Sequence, residues 1–241
     1  GSRADYGHLE WLLKLLREDS YFNVAEVKIW GQTAAQALQS VGDYLKDARP
    51  ELLVLLGDRF EILSAALAAH LERIPIAHLC GGDVTLGSYD DAMRDCISLL
   101  ATLHFPTNEL SAERLRSALC DYTHVHNVGS TGHDYILNAD WRRGRPYAEP
   151  YVVVNYQPET ADGVIEWSKV FDAIAGRKAV YFLPNLDRGS DQVRALISQQ
   201  NATAIEFMPH GDYLNLLAHA EEFIGNSSSV LYEAPLVGCK T

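Results

Sequence analysis

The sequence predicts an α/β protein made of two doubly wound domains that face a cleft. Three observations lead to this prediction. Short apolar runs alternate with amphipathic segments, glycine-rich or polar turns follow several of these runs, and the alternation restarts after a segment rich in Trp, Arg, Gly and Pro at 139–150. Strands and helices that alternate at this spacing are typical of parallel sheets covered by helices.

The first half opens with a loop, and leucines at helical spacing then predict a helix over 7–18. Alternation of apolar and polar residues predicts a strand over 24–30, and the continuous apolar run 52–56 is typical of a buried parallel strand. The other predicted elements are helices over 33–48, to residue 69 and over 90–103, strands over 75–79 and 103–106, and a glycine-rich loop over 80–88.

The second half repeats the alternation after the segment 139–150, where we place the domain boundary. The resulting Rossmann-like domains are 1–145 and 146–241, an arrangement typical of a glycosyltransferase-B-like architecture, although a single larger sheet would give a similar pattern. The predicted strands are 151–155, 178–183, 203–207 and 222–225, and the predicted helices are 163–175, 189–199, 211–219 and one from Ser228. We expect the chain to be truncated at both ends, because no strand precedes Gly1 and a strand should begin near Thr241.

Composition excludes several classes of protein. The net charge of -12 over 241 residues gives no basic surface for nucleic acid, and no apolar run reaches the roughly 20 residues that span a membrane. The four cysteines are widely spaced and form no C-x-x-C pair, so we expect a cytoplasmic protein without a metal site. An acidic protein that binds a nucleoside diphosphate must draw positive potential from helix N-termini, backbone N–H groups and a few Arg or His side chains.

Residues 225–229 read GNSSS and run from the end of the last predicted strand into the start of the last predicted helix. Hydroxyl groups at a helix N-terminus favour a bound phosphate, although an ordinary serine cap would look the same. Glu233, farther along this helix, is a candidate for accepting hydrogen bonds from ribose hydroxyls. Asn185 and Asp187 follow the strand 178–183 and would bind a base or sugar, or form a plain Asx turn.

Charged side chains gather after the predicted strands of the first half. In chain order they are Asp58, Arg59, His78, Asp83, Asp91 and Arg94. Neighbouring carboxylates push their pKa values apart, which suits the removal and return of a proton at a carbon centre. Arginines would offset the repulsion between them, and an Asp in the first turn of a helix is also simply a favourable cap.

Six motifs span nearly the whole chain. They read GSRADYG at 1–7, LGDRFE at 56–61, HLCGGD at 78–83 with Thr85, DDxxR at 90–94, VGS at 128–130 and GNSSS at 225–229 with Glu233. Each motif alone is weak. Their order resembles that of the hydrolysing UDP-N-acetylglucosamine 2-epimerases of sialic and legionaminic acid pathways.

This resemblance implies a glycosyltransferase-B-type fold and a two-step reaction, in which UDP is eliminated to give a 2-acetamidoglucal and water then adds with inversion at C2. By matching position, Asp58 and Asp91 would be the acid/base carboxylates, with Asp83 and His78 as further catalytic candidates. Arg3, Ser227 and Ser228 would meet the diphosphate and Glu233 the ribose. The other expected substrate-binding residues are Arg59, Arg94, Gln157, Asn185, Asp187, His210 and Asn226. The resemblance implies no metal or cofactor; the expected partners are a UDP-sugar and further copies of the chain, as a dimer or tetramer.

The chain also departs from the family pattern. Gln157 replaces a usual His and cannot carry a proton, and Asp95 replaces another His. Further departures are Cys80, Val230 and a family segment missing between Trp30 and Gly31. Three alternatives therefore stay open beside hydrolysing epimerisation of a UDP-2-acetamido or UDP-diacetamido sugar: a homologue that binds a sugar nucleotide without turnover, a glycosyltransferase, and a non-hydrolysing epimerase. An active enzyme would need replacement donors such as His78, His104 or His210, each of which is otherwise a structural histidine.

Overall fold

The structure, a computed structural model, describes residues 3–29, 31–86, 88–158, 167–184, 189–200 and 202–241, with the backbone alone for 3–5. The chain divides into two compact units, Gly1–Gly132 and His133–Thr241. Among the described residues, no helix has the length and apolar character needed to cross a membrane.

The first unit alternates helices with three short strands. Its elements are α1 (Arg3–Glu18), α2 (Ala34–Ala48), β1 (Leu53–Leu56), α3 (Phe60–Leu71), β2 (Ile76–Leu79), α4 (Asp90–Leu100), β3 (Leu103–Phe105) and α5 (Glu109–Leu119). The strands form a parallel sheet in the order β1-β2-β3. A capping box between Thr33 and Gln36 fixes the start of α2. Helices α2 and α3 pack on the sheet through a core that includes Leu45, Ala66 and Ile76.

The second unit contains the rest of the elements. They are α6 (Thr131–Asn138, which begins just before the unit boundary), β4 (Val152–Asn155), α7 (Trp167–Ile174), β5 (Ala179–Phe182), α8 (Ser190–Ser198), β6 (Thr203–Ile205), α9 (His210–His219), β7 (Glu222–Gly225), a 3-10 turn (Ser228–Val230) and α10 (Glu233–Val237). Its parallel sheet has the order β6-β5-β4-β7, so the chain reverses its direction across the sheet after β6. This reversal between β4 and β7 is the topological switch point of a Rossmann-like sheet. The predicted α/β class with Rossmann-like parallel sheets is confirmed.

Three predictions were wrong. The first unit does not open with a loop up to residue 6, because α1 already begins at Arg3. Residues 22–29 form no strand, because the segment pairs with no neighbouring strand and Ile29 is its only buried side chain. The helix predicted from Ser228 is a single 3-10 turn followed by the separate helix α10. Pro235 accounts for this break, since its ring would clash with the carbonyl of Leu231 in a continuous α-helix.

The division between the units lies before the predicted boundary at 145/146. Trp141 is 1% exposed and packs with Ile136 and Leu214, which belong to the second unit. Its indole N–H donates to the carbonyl of Ile136 at 2.8 Å. The segment that composition suggests as a linker is therefore anchored in the second unit by a buried tryptophan.

Candidate functional site

One guanidinium joins two carboxylates at the carboxyl edge of the first sheet. Arg94 donates from Nη2 to Asp58 and from Nη1 to Oδ1 of Asp91, the latter at 2.5 Å. The same Nη1 donates to the backbone carbonyl of Asp83 at 2.7 Å. The Asp91 carboxylate also accepts the backbone N–H of Thr85, at 3.1 and 3.0 Å from its two oxygens. Three predicted site residues, Asp58, Asp91 and Arg94, are therefore brought together.

The local sequence explains this arrangement. Asp58 follows β1 through Gly57, which has a φ of 85°, a conformation that glycine adopts readily. Asp91 lies in the first turn of α4, where the positive end of the helix dipole favours a carboxylate, and Arg94 lies one turn later on the buried face. Spacing of three residues places Asp91 and Arg94 side by side.

Arg94 stays charged although its side chain is only 7% exposed. Burial alone would lower its pKa, but the charges and hydrogen bonds of Asp58 and Asp91 outweigh burial and raise the pKa above its ordinary value. The side chains of Asp58 and Asp91 are 25% and 23% exposed, so both remain within reach of a ligand. The guanidinium of Arg94 can therefore hold two anionic carboxylates close together without leaving either of them unpaired.

His78 lies on β2, the central strand of the first sheet, and is fully buried. Its Nε2 lies 2.8 Å from the carbonyl of Gly57, which only accepts, so Nε2 carries the proton and Nδ1 accepts from Ser98 Oγ at 3.0 Å. Burial lowers the pKa of His78 to about 4. A neutral ring with both nitrogens engaged favours a role in holding Gly57, beside Asp58, over a role in proton transfer.

Asp83 points its carboxylate at the start of α5. Its Oδ1 accepts from Ser111 Oγ at 2.5 Å, Asn108 Nδ2 at 3.3 Å and Thr107 Oγ1 at 3.4 Å. The chain approaches α5 closely here, since a Cβ on Gly82 would lie 2.4 Å from the carbonyl oxygen of Ser111. These contacts favour a loop-positioning role for Asp83, and its backbone carbonyl in turn supports Arg94.

Two further charged residues of the first unit have protein partners. Arg59, the N-cap residue of α3, donates from Nε to the buried Glu61 at 3.3 Å. Asp95 accepts from Arg114 Nη2 at 2.9 Å. The Asp95 and Arg114 side chains are 48% and 37% exposed, so this pair lies at the surface.

The second unit brings polar side chains together at its switch point. Gln157, just beyond β4, donates from its backbone N–H to Asn226 Oδ1 at 2.7 Å, and Asn226 Nδ2 donates back to the Gln157 carbonyl at 2.9 Å. The Gln157 side chain donates from Nε2 to Asn155 Oδ1 at 2.6 Å. Ligands of open α/β sheets bind beyond the strand ends at such a point.

The serine turn, residues 227–229, follows Asn226 directly. Ser227 caps the 3-10 turn by accepting the Ser229 N–H at 3.4 Å, while Ser228 is exposed. Glu233 is the first residue of α10 and is 7% exposed. Burial raises the pKa of the neighbouring Tyr213 phenol above its usual range, and the charge of Glu233 adds to the rise.

Four candidates lie outside these clusters. Asn185 and Asp187 fall outside the described residues, and for Arg3 only its place as the first residue of α1 is described. His210 begins α9 and packs against Tyr135 with ring centroids 4.7 Å apart. In the part of the chain that the structure describes, no group of three or more His, Cys, Asp and Glu side chains is placed to hold a metal ion.

Three residues that contact the predicted site residues were not predicted from the sequence: Ser98, Asn155 and Tyr213. Ser98 shares the buried face of α4 with Arg94 and Ile97, and this helical spacing was a usable signal for a partner of a buried histidine. Asn155 ends an otherwise apolar strand, which was a weaker signal. The sequence carries no signal for Tyr213, because its place next to Glu233 depends on how α9 packs.

Comparison with known proteins places the chain in a family. A family model described as UDP-N-acetylglucosamine 2-epimerase matches residues 8–241. The chain is 29% identical over 219 residues to the GDP/UDP-N,N'-diacetylbacillosamine 2-epimerase (hydrolyzing) of Campylobacter jejuni, a match that covers 83% of this chain and 57% of that protein. It is 27% identical to the polysialic acid biosynthesis protein P7 of Escherichia coli, covering 98% of this chain and 74% of that protein.

The fold has a close counterpart among solved structures. The UDP-GlcNAc 2-epimerase of Neisseria meningitidis bound to UDP-GlcNAc superposes with a TM-score of 0.78 at 18% identity, covering 99% of this chain and 79% of that one. The chain spans little more than half the length of the Campylobacter relative. Since the family model covers nearly every residue, the chain belongs to the UDP-N-acetylglucosamine 2-epimerase family.

Proposed function

We propose that the protein is a hydrolysing 2-epimerase that acts on a UDP-linked 2-acetamido or 2,4-diacetamido sugar. The observation that carries this proposal is the pair of carboxylates, Asp58 and Asp91, held on the single guanidinium of Arg94 at the carboxyl edge of a parallel sheet. Membership of the family, and relatives named as hydrolysing 2-epimerases, support the same conclusion.

The chemistry requires two proton-handling groups because C2 is inverted. One carboxylate removes the C2 proton while the C1–O bond breaks and its electron pair leaves with UDP, which forms a 2-acetamidoglucal. The second group, in its protonated form, then gives its proton to the opposite face of C2 while water bonds to C1 through its oxygen, and the proton that this water loses passes to the carboxylate so formed. Asp58 and Asp91 are suited to these two roles, because they come from different elements and share one positive charge.

Within the second unit, the serine turn and Glu233 are the groups that we propose to bind the nucleotide. The serine turn lies at the switch point of the second sheet, where ligands of Rossmann-like folds bind. Its hydroxyl and backbone N–H groups suit a diphosphate, and Glu233, whose carboxylate accepts only, suits the two ribose hydroxyls. An acidic chain with net charge -12 needs such neutral donors to bind an anion.

A second candidate function is binding of the sugar nucleotide without turnover. The specific observation in its favour is the absence of a titratable side chain at residue 157, together with a His78 that burial keeps neutral and hydrogen-bonded on both nitrogens. In this case the carboxylate pair would bind the sugar hydroxyls.

The test is to incubate the protein with UDP-N-acetylglucosamine and, separately, with a UDP-2,4-diacetamido sugar, and to follow UDP and the free sugar by NMR. Release of UDP together with the free 2-epimer supports the first function. Tight UDP binding with no free sugar supports the second. Appearance of a UDP-linked 2-epimer, or transfer only after an acceptor is added, would contradict both.

A further inference from the structure

We infer that Asn226 is a positioning residue. Its side-chain amide fastens the end of β4 to the end of β7 by hydrogen bonds and thereby fixes the position of the serine turn. The geometry gives it this role before any ligand is bound. The consequence for nucleotide affinity rests on the proposed function, whereas the consequence for the free protein does not.

The amide continues the ladder between the two strands. Regular pairing of β4 with β7 ends at Asn155 and Gly225. Beyond this point the Asn226 side chain accepts the Gln157 N–H at 2.7 Å and donates to the Gln157 carbonyl at 2.9 Å. Both backbone groups of Gln157 are therefore satisfied by one side chain, as a strand residue would satisfy them.

The backbone next to Asn226 is also held closely. A Cβ on Gly225 would lie 2.0 Å from the carbonyl oxygen of Asn155, and Gly225 has a φ of 152°. Only glycine allows this approach, so the strands meet directly before the amide joins them. The Gln157 side chain adds a third contact through Asn155 Oδ1.

This fastening determines where the serine turn begins. Ser227 follows Asn226 immediately, and its hydroxyl caps the turn at the Ser229 N–H. Asn226 uses one acceptor and one donor position of its amide on Gln157, and these two bonds hold the residue that directly precedes Ser227 and Ser228. The sequence predicts direct contact between Asn226 and the substrate, and the geometry adds this positioning role.

The test combines hydrogen exchange of the free protein with UDP titration. Asn226→Ala removes both hydrogen bonds and should speed exchange of the Gln157 and Ser229 amides about tenfold. Asn226→Asp keeps an acceptor for the Gln157 N–H but has no donor, so the Gln157 amide should recover most of its protection. UDP should bind Asn226→Ala about tenfold more weakly by calorimetry.

Asn215→Ala is the matched control. Asn215 is buried and makes the same kind of reciprocal pair with a different backbone segment, accepting the Arg143 N–H at 2.8 Å and donating to the Gly144 carbonyl at 3.1 Å. This variant should lower Tm while leaving the exchange of Gln157 and the UDP affinity within about twofold of the wild type.

Two results would overturn the inference: unchanged exchange of the Gln157 amide in Asn226→Ala, or faster exchange with unaltered UDP affinity. If the wild-type protein binds no UDP, the proposed function fails. The exchange measurement on the free protein then still decides whether Asn226 fastens the two strands.

Discussion

Arg94 donates a hydrogen bond from Nη2 to the carboxylate of Asp58, which lies 36 residues earlier in the chain. Its second terminal nitrogen donates to Asp91 at 2.5 Å. The planar fork of the guanidinium thus holds carboxylates from two different elements of the fold. A lysine ammonium is a single point charge and cannot copy this geometry.

Arg94→Ala should lower the free energy of unfolding by about 3 kcal/mol, because it leaves two partly buried carboxylates without their counter-charge. Arg94→Lys should fall between this variant and the wild type. Urea unfolding at neutral pH measures both. Arg143→Ala is the control, since its pair with Asp212 is 63% and 41% exposed and should contribute less than about 1 kcal/mol. Equal losses for Arg94→Ala and Arg143→Ala would contradict the bridged geometry.

His78 should make stability depend on pH. Burial lowers its pKa from 6.5 to about 4 in the folded state, so between these values the unfolded chain binds more protons. The contribution of neutral His78 to the free energy of unfolding is fully present above pH 6.5. It is lost as the pH falls towards 4, and the total loss is about 3 kcal/mol. Unfolding free energies measured between pH 7 and pH 4 test this.

His78→Gln should flatten that pH dependence, although cavity formation and altered hydrogen bonding should also lower stability at pH 7. His70→Gln, at an exposed position of α3, should leave the slope as it is in the wild type. A slope that survives His78→Gln unchanged would assign the titration to another group.

Two glycines should respond in opposite directions to the same substitution. Gly225→Ala should destabilise by about 3 kcal/mol or more, because the new Cβ would lie 2.0 Å from the Asn155 carbonyl oxygen and the φ is 152°. Gly42 lies within α2 and a Cβ there meets no atom within 4 Å, so Gly42→Ala should stabilise by about 0.5 kcal/mol or slightly more. Thermal unfolding compares them, and a neutral Gly225→Ala would show that β4 and β7 do not meet so closely.

Asp83→Asn should affect stability more than chemistry. The carboxylate of Asp83 receives hydrogen bonds from Thr107, Asn108 and Ser111, and an amide oxygen can still accept from Ser111. We expect a loss of about 1 kcal/mol in unfolding free energy and turnover within about threefold of the wild type. Loss of turnover at wild-type stability would instead make Asp83 a proton-handling group.

The regular elements could be predicted from the sequence because their signals are local. Continuous apolar runs predicted β1, β2, β4 and β5 to within a residue or two at each end, and the last strand, Glu222–Gly225, was predicted at its observed bounds. The strand predicted over 24–30 was wrong, because alternation of apolar and polar residues does not show whether a neighbouring strand is present to pair with the segment. The break before α10 depends on a single proline ring, which periodicity does not register.

The candidate site was predictable in its residue types but not in its partners. Strand ends predicted that Asp58, Asp91 and Arg94 would meet, and they do. The other contacts depend on tertiary packing between segments that are distant in the chain. Asp83 accepts a hydrogen bond from Ser111 of α5, and the side-chain amide of Asn226 bonds to the backbone of Gln157. The partners in the second case lie 69 residues apart in the chain, and no local pattern records such a pairing.

Exchange of the sugar C2 hydrogen in deuterated water tests whether the carboxylates that Arg94 joins transfer the C2 proton. With UDP-N-acetylglucosamine or the diacetamido substrate, the wild-type protein should place deuterium at C2 of the released 2-epimer. Asp58→Asn should abolish this incorporation while UDP affinity stays within about threefold. Deuterium at C2 in the Asp58→Asn product would contradict the assignment of proton transfer to the carboxylates that Arg94 joins.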